Sequence, residues 1–377
     1  MSEDILLMMK DIPVMRINFD HQEYEVLDEL HIPYQLKGKL RYWEFDDKYD
    51  MKYNITQSVI ANGACRDSVI DFLSGRTLPL SRENAKKILN LLKLSQAGDK
   101  VSKSKIALIC RAISLQDNYW IKSASDKVKW KNVSLRENSL SEVVAQVALH
   151  GSSLTVNGNI NTPELTTHGA YAKCWKRING ELYLYKRGAH GDDESRIEIE
   201  VSNILDKCNV RHVEYTAGES KGLFCCKCKC MTNDRLSMLN GGDFVAYCNV
   251  NGIDWWQYLL SIDADMIYKM FIVDYLVSNS DRHSMNWGMY YDCDTMQIVN
   301  CHPLYDHNNA FDREMMSDPV GGSCIVLDNM TQREAAVMAM KKVDFKFVEP
   351  ILRSDFITER HYKSFKERAK VLGLVVE

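Results

Sequence analysis

VSNSDRHSMNWGMYYDCDTMQIVNCHPLYDHNN, residues Val277–Asn309, is the stretch that decides the fold. It continues an apolar run, ADMIYKMFIVDYLV, read as an amphipathic helix. Asp281 and Asn286 lie five apart in a polar, glycine-containing loop. Two short β-prone runs follow, around Tyr290 and Ile298, with a turn at Asp292–Thr295. Asp306 comes just after the second run, so the expected hairpin returns it to the Asp281–Asn286 loop.

That arrangement suits phosphoryl transfer. A nucleotide site needs hard oxygen ligands for Mg²⁺, and Asn286 with Asp306 can supply them. It also needs a carboxylate that orients the attacking hydroxyl and takes its proton, the role expected of Asp281. A DxxxxN string alone is a common polar loop. The ordered set of Lys, helix Glu, DxxxxN, hairpin and Asp in one chain is not.

Working outward, the strand-like ELYLYK ends in Lys186, placed to hold the α- and β-phosphates of ATP. The helix expected from about Ser195 to Cys208 offers Glu198 or Glu200 as its ion-pair partner, with Glu198 preferred. TTHGAYAK, Thr166–Lys173, lies between strands ahead of Lys186. Its Thr167, His168, Gly169, Ala170 and Tyr171 are candidates to cover the phosphates, although it holds a single glycine. Between AYAKCWKR and GELYLYKRG, Asn179-Gly180 marks a tight hairpin.

These segments together resemble the HipA-like Ser/Thr kinase family. NSDRHSMNWG and HPLYD match its catalytic and metal-binding segments, and the likeness covers roughly residues 150–370. It implies an α+β, bilobal protein-kinase-like fold with an additional N-terminal α+β domain. By resemblance Asp281 is the catalytic base, Asn286 and Asp306 bind Mg²⁺, and Lys186 contacts ATP phosphates. His283 is then a loop-structuring residue. The family's phosphate loop is not glycine-rich, which suits TTHGAYAK. The resemblance implies a protein substrate and a link to toxin–antitoxin systems, with an antitoxin-like or DNA-binding partner. Ser152, Ser153, Thr155, Thr166 and Thr167 are candidate autophosphorylation sites. DRHxxN also resembles the catalytic loop of phosphatidylinositol kinases, so a lipid or small-molecule kinase is the alternative.

The chain has 12 cysteines among 377 residues, four of them in CCKCKC, Cys225–Cys230. A zinc site would need a second Cys-x-x-Cys, and the sequence has none. Strand alternation puts Phe224, Cys226, Cys228 and Cys230 on one face and Lys227 and Lys229 on the other. Cys228 and Cys230 are therefore expected to be packed in the wall of the ATP cleft.

Composition sets the outer bounds. Hydrophobic residues are 45% and charged residues 26%, with a net charge of -4. A disordered chain and a globally basic nucleic-acid or membrane binder are excluded. No apolar run reaches ~18 residues, and Glu3 and Asp4 stand where a secretion signal needs positive charge. A cytoplasmic location is expected. The texture changes near 150 and 232, giving an N-terminal region 1–150, a strand-rich nucleotide lobe 151–232 and a helical catalytic lobe 233–377.

Within the N-terminal region, short strands are expected over 1–50. Helices are expected at DSVIDFLSG, at SRENAKKILNLLKL with Ser81 as N-cap, and at SKIALICRAISL. NYWIK, KVKWKNV and SSLTVNGNI read as further strands. Residues 55–95 look faintly like a helix-turn-helix, and 62–105 carry nine Lys/Arg against four Asp/Glu. A DNA-associated regulator, contacting DNA through 55–105, is the reading outside enzymology.

Overall fold

In a computed structural model of the protein, the described residues are 4–18, 23–39, 42–45, 51–54, 58–60, 63–94, 107–108, 110–152, 154, 162–188, 193–327 and 329–377. Strands β1 (Ile5–Met9), β2 (Ile12–Asn18), β3 (Glu23–Val26), β4 (Tyr42–Phe45), β5 (Met51–Asn54) and β6 (Ser58–Ile60) come first. Helices α1 (Gly63–Ser74) and α2 (Ala85–Leu91) lead to β7 (Tyr119–Ser123), α3 (Trp130–Val133) and α4 (Glu142–His150). β1, β2, β3, β6 and β7 form one antiparallel sheet in the order β6-β3-β2-β1-β7, and β4 pairs with β5.

The strand-rich lobe holds β8 (Lys173–Ile178), β9 (Glu181–Lys186), α5 (Asp193–Lys207), β10 (Thr216–Ser220) and β11 (Leu223–Lys229). Its sheet runs β10-β11-β9-β8, all antiparallel. The β8–β9 turn has Asn179 at φ 51 and Gly180 at φ 86, the paired positive φ that a two-residue hairpin requires.

The helical lobe holds β12 (Leu236–Asn240), α6 (Gly241–Val250), α7 (Trp255–Leu276), β13 (Gly288–Asp292), β14 (Ile298–Cys301), α8 (Arg313–Ser317), α9 (Gln332–Met340) and α10 (Glu359–Val371). β12, β13 and β14 form a three-stranded sheet. From Met266 to Leu276, α7 is buried on most sides rather than along one stripe. No helix among the described residues is long and apolar enough to cross a membrane.

The break near 150 is not a break in packing. Leu7, Met15, Ile17 and Tyr119 share one apolar core with Val201, Phe244 and Met270 of the two lobes. Ile88 and Leu89 of α2 and Val144 and Ala148 of α4 share another with Cys174, Tyr185 and Cys225 of the strand sheet. The N-terminal region is thus built into both lobes.

Several local expectations are corrected. Ser81 is not the cap of α2: the helix begins at Ala85, behind Asn84 at φ 63. Arg82 turns inward first and donates to the carbonyls of Glu164, Thr167 and Lys173. Near 104–115 the chain makes no sustained helix among its described residues, because Arg111 and Ala112 both take positive φ. KVKWKNV closes as the short helix α3 over Trp130–Val133, with Trp130 buried against Trp120. SSLTVNGNI lies mostly outside the described residues.

The two helices in the segment read as a helix-turn-helix enter different cores. Val69 and Leu73 of α1 enter the first core, whereas Ala85, Ile88 and Leu89 of α2 enter the second. Two of the nine basic residues are also spent internally. Arg76 makes a buried two-pronged ion pair with Asp117, at 2.7 Å for both contacts, and Arg82 is buried under the phosphate-loop candidate.

Candidate active site

A cleft of about 320 Å³ opens between the strand sheet and the helical lobe. Lys186, at the end of β9, points into its floor and is buried. Its ammonium contacts Glu198 and lies 2.5 Å from Asp306 Oδ1. Glu198 also accepts the His307 N–H at 3.1 Å, so one carboxylate ties strand, helix and metal-segment candidate together.

Helix geometry settles the Glu198–Glu200 choice. Residues two apart on a helix face away from each other. Glu198 faces Lys186, while Glu200 faces the other way and accepts from His361 Nδ1 at 2.9 Å and the Ile357 N–H at 2.9 Å.

The hairpin places Asn286 and Asp306 in one cleft, with Asp281 linked to it through Asn286. Asn286 and Asp306 both line the cleft. Asn286 Nδ2 donates to the Asp281 carbonyl at 2.8 Å, which closes the loop. Asp306 has φ 60, a strained left-handed conformation for a residue with a Cβ. Asp281 itself does not line the cleft. Its side chain is 36% exposed, and Asn309 Nδ2 donates to its Oδ2 at 2.9 Å. His283 lines the cleft, and its Nδ1 accepts the Met285 N–H at 3.1 Å, a loop-structuring contact.

Thr167, His168 and Gly169 line the opposite lip, as do Cys228 and Cys230. The Ala170 carbonyl is turned to the Glu83 N–H at 2.8 Å, while the Tyr171 phenol lies close enough to Asp306, Lys186 and Asp281 to feel their charges. Gly169 is needed where it stands. Its φ is 100, and a Cβ there would sit 2.2 Å from Lys173 Nζ. Thr166 is buried, with its hydroxyl donated to the Ile113 carbonyl at 2.8 Å, so it offers no exposed acceptor. Ser152 is half-buried, and Ser153 and Thr155 lie outside the described residues.

The cysteine strand alternates as expected, but both its faces are covered. Cys226 and Cys228 pack with Val213 and Tyr215, and Cys225 packs with Cys174 and Tyr185. Burial pushes the Cys226 thiol up to about 12, the behaviour of an inert packed thiol.

Two site residues escaped the sequence reading. Lys173 on β8 lies directly opposite Lys186 in the ladder, lines the cleft, and donates to the His168 carbonyl at 2.9 Å. A Lys–Lys cross-strand register cannot be inferred before strand pairing is known. The other is Arg282, inside DRH. It is buried, pairs with Asp274 of α7, and donates to the carbonyls of Asn286 at 2.6 Å and Tyr305 at 3.0 Å.

The electrostatics follow from burial and these partners. Burial disfavours the Lys186 charge, but Asp306 and Glu198 outweigh it and hold its pKa well above the usual lysine value. Burial, then Lys186, bring Lys173 down to about 7. Burial raises Glu198 against the pull of Lys186. Asp306 is lowered: burial opposes its charge, but Lys186 and Lys173 prevail.

Asn286 and Asp306 present hard oxygen donors of the kind Mg²⁺ takes. Two protein ligands suffice for an ion that keeps waters and substrate phosphates in its shell. The cleft thus holds a paired buried lysine and two hard oxygen donors.

Solved structures resemble the chain, two of them as follows. One is the Helicobacter pylori proinflammatory kinase CtkA, 16% identical, over 56% of this chain and 92% of the other, with a TM-score of 0.42. The second belongs to the Shewanella oneidensis toxin–antitoxin system, HipA with HipB and operator DNA. It is 11% identical over 98% of both chains, with a TM-score of 0.49. No protein-family model matches the chain, and no curated protein matches it.

Proposed function

We propose that the protein is an ATP- and Mg²⁺-dependent kinase of the HipA-like type that phosphorylates Ser or Thr of a protein. The observation that carries this is the buried Lys186 held between Glu198 and Asp306 on the cleft floor, with Asn286 lining the same cleft.

In this reading Lys186 and Lys173 bind the ATP phosphates, and Glu198 keeps Lys186 from turning away. Asn286 and Asp306 would hold Mg²⁺, which when bound neutralises charge on the phosphates. Occupancy by nucleotide requires Asp306 to exchange part of its contact with Lys186. Asp281 orients the acceptor hydroxyl and takes its proton as the oxygen–γ-phosphorus bond forms. The bond from γ-phosphorus to the β–γ bridging oxygen breaks, and ADP leaves with that oxygen. The partial exposure of Asp281 suits an acceptor arriving from solvent.

The test is incubation of the full chain with Mg²⁺ and γ-labelled ATP, alone and with a protein extract, followed by mass spectrometry of labelled Ser and Thr. Wild type should transfer label and Asp281→Asn should not. Label appearing only in lipid or small-molecule fractions would replace protein as the acceptor. Equal labelling by both proteins would sink the assigned base.

A further inference from the structure

The N-terminal region contributes a wall of the cleft. Ser114, Leu115 and Gln116 line it beside Met231, Thr232 and Met238. Three carbonyls in this short segment are each bound by a different part of the site. Ile113 O accepts from Thr166 Oγ1 at the phosphate-loop candidate, at 2.8 Å. Leu115 O accepts from Thr232 Oγ1 at the connection between lobes, and from Arg136 Nη2 at 3.2 Å. Gln116 O accepts from the Met238 N–H of the helical lobe at 2.8 Å. The segment is a clasp across both lobes, and its backbone is fixed.

The cleft has two chemical halves. Lys173, Lys186, Asn286 and Asp306 make one end polar and charged, where phosphates belong. Leu115, Leu184, Val213, Cys228, Met231 and Met238 make the other end apolar, where a flat base is buried. Gln116 stands at that apolar end. Its side-chain amide is exposed in the cleft and has no hydrogen-bond partner among the described residues, although its backbone is held on both sides.

We propose that Gln116 is a specificity-determining residue that reads the edge of the nucleotide's base and selects adenine over guanine. The amide offers one donor and one acceptor side by side. On the N7 edge adenine answers with the 6-amino donor and the N7 acceptor, whereas guanine presents two acceptors there, O6 and N7. Facing guanine along this edge, the amide must leave one group unpaired or face acceptor to acceptor. A side chain on a clasped backbone loses little freedom in making this contact.

The inference rests on the nucleotide-binding reading above, and one experiment separates the two. Calorimetric titration of the full chain with the β,γ-imido analogues of ATP and GTP, in Mg²⁺, gives the affinity ratio. Wild type should favour the adenine analogue. Gln116→Leu should lower the preference by on the order of tenfold. Gln116→Arg, with donors only, should shift it towards guanine. Unchanged thermal melting of the variants will show that the clasp is intact. If wild type binds the adenine analogue and both variants keep its ratio, Gln116 does not read the base and the kinase reading stands. If wild type binds neither analogue, the nucleotide reading fails and this inference falls with it.

Discussion

Arg282 and Asp274 form a buried two-pronged ion pair, with Nε 2.9 Å from Oδ2 and Nη2 2.9 Å from Oδ1. The guanidinium then reaches the carbonyls of Asn286 and Tyr305, one residue short of Asp306. One cation therefore sets the spacing of the two residues assigned to the metal. Arg282→Met strands the Asp274 carboxylate in the interior, an effect worth about 3–5 kcal/mol. Denaturant unfolding of Arg282→Met should show a loss of that order, and Arg282→Met with Asp274→Leu should recover part of it. A single variant as stable as wild type would mean that the pair does not organise the loop.

Asp281 should behave in the opposite way. Its side chain is half-buried, and the contacts that shape the loop come from its backbone and from Arg282. Asp281→Asn should leave the unfolding midpoint within about 0.5 kcal/mol of wild type. It should lower phosphotransfer by roughly 10²–10⁴-fold, the usual contribution of a positioned base. Nucleotide affinity, read by calorimetry, should hardly move. A variant that binds nucleotide poorly would show that Asp281 serves binding rather than proton transfer.

Glu198 and Glu200 are two residues apart and should fail differently. Glu198→Gln removes the anion beside Lys186 and should weaken nucleotide binding and turnover together. Glu200→Gln loosens the contacts to His361 and the Ile357 N–H, so it should lower the melting temperature while leaving nucleotide affinity intact. Identical profiles for the two variants would contradict the division of roles.

The contrast shows what sequence could and could not reveal. The shared placement of Asn286 and Asp306 was legible because it depends on a local hairpin written in consecutive residues. The β8–β9 turn was legible through Asn179-Gly180 for the same reason. Lys173 was hidden because its partner lies across a ladder, and Arg282 because an arginine inside a polar loop reads as solvated until Asp274 is seen beneath it. The basic segment carries less exposed charge than its sequence suggests, for a related reason. Charge counts treat every lysine and arginine as exposed, whereas Arg76 and Arg82 are interior struts. The clasp at Ile113–Gln116 left no sequence signal at all, since it is made by backbone carbonyls.

Lys173 gives the sharpest dependence on pH. Its ammonium sits near pKa 7 because burial and the neighbouring Lys186 charge both disfavour it. A lysine depressed in the fold binds its proton more readily when unfolded. Its effect is therefore that stability rises with pH between about 7 and the ordinary lysine value. Bound phosphates reverse the preference by favouring the charged form, so nucleotide binding above pH 7 must take up a proton. Between pH 7.5 and 9, affinity for the ATP analogue should fall by up to about tenfold per pH unit. Calorimetry at pH 8 in two buffers of different ionisation enthalpy should register close to one proton absorbed. Lys173→Met should bind more weakly, with a flatter pH profile and little uptake, while Lys186 keeps its charge throughout the range. Equal proton uptake by wild type and Lys173→Met would place the titrating group elsewhere and leave Lys173 a packing residue.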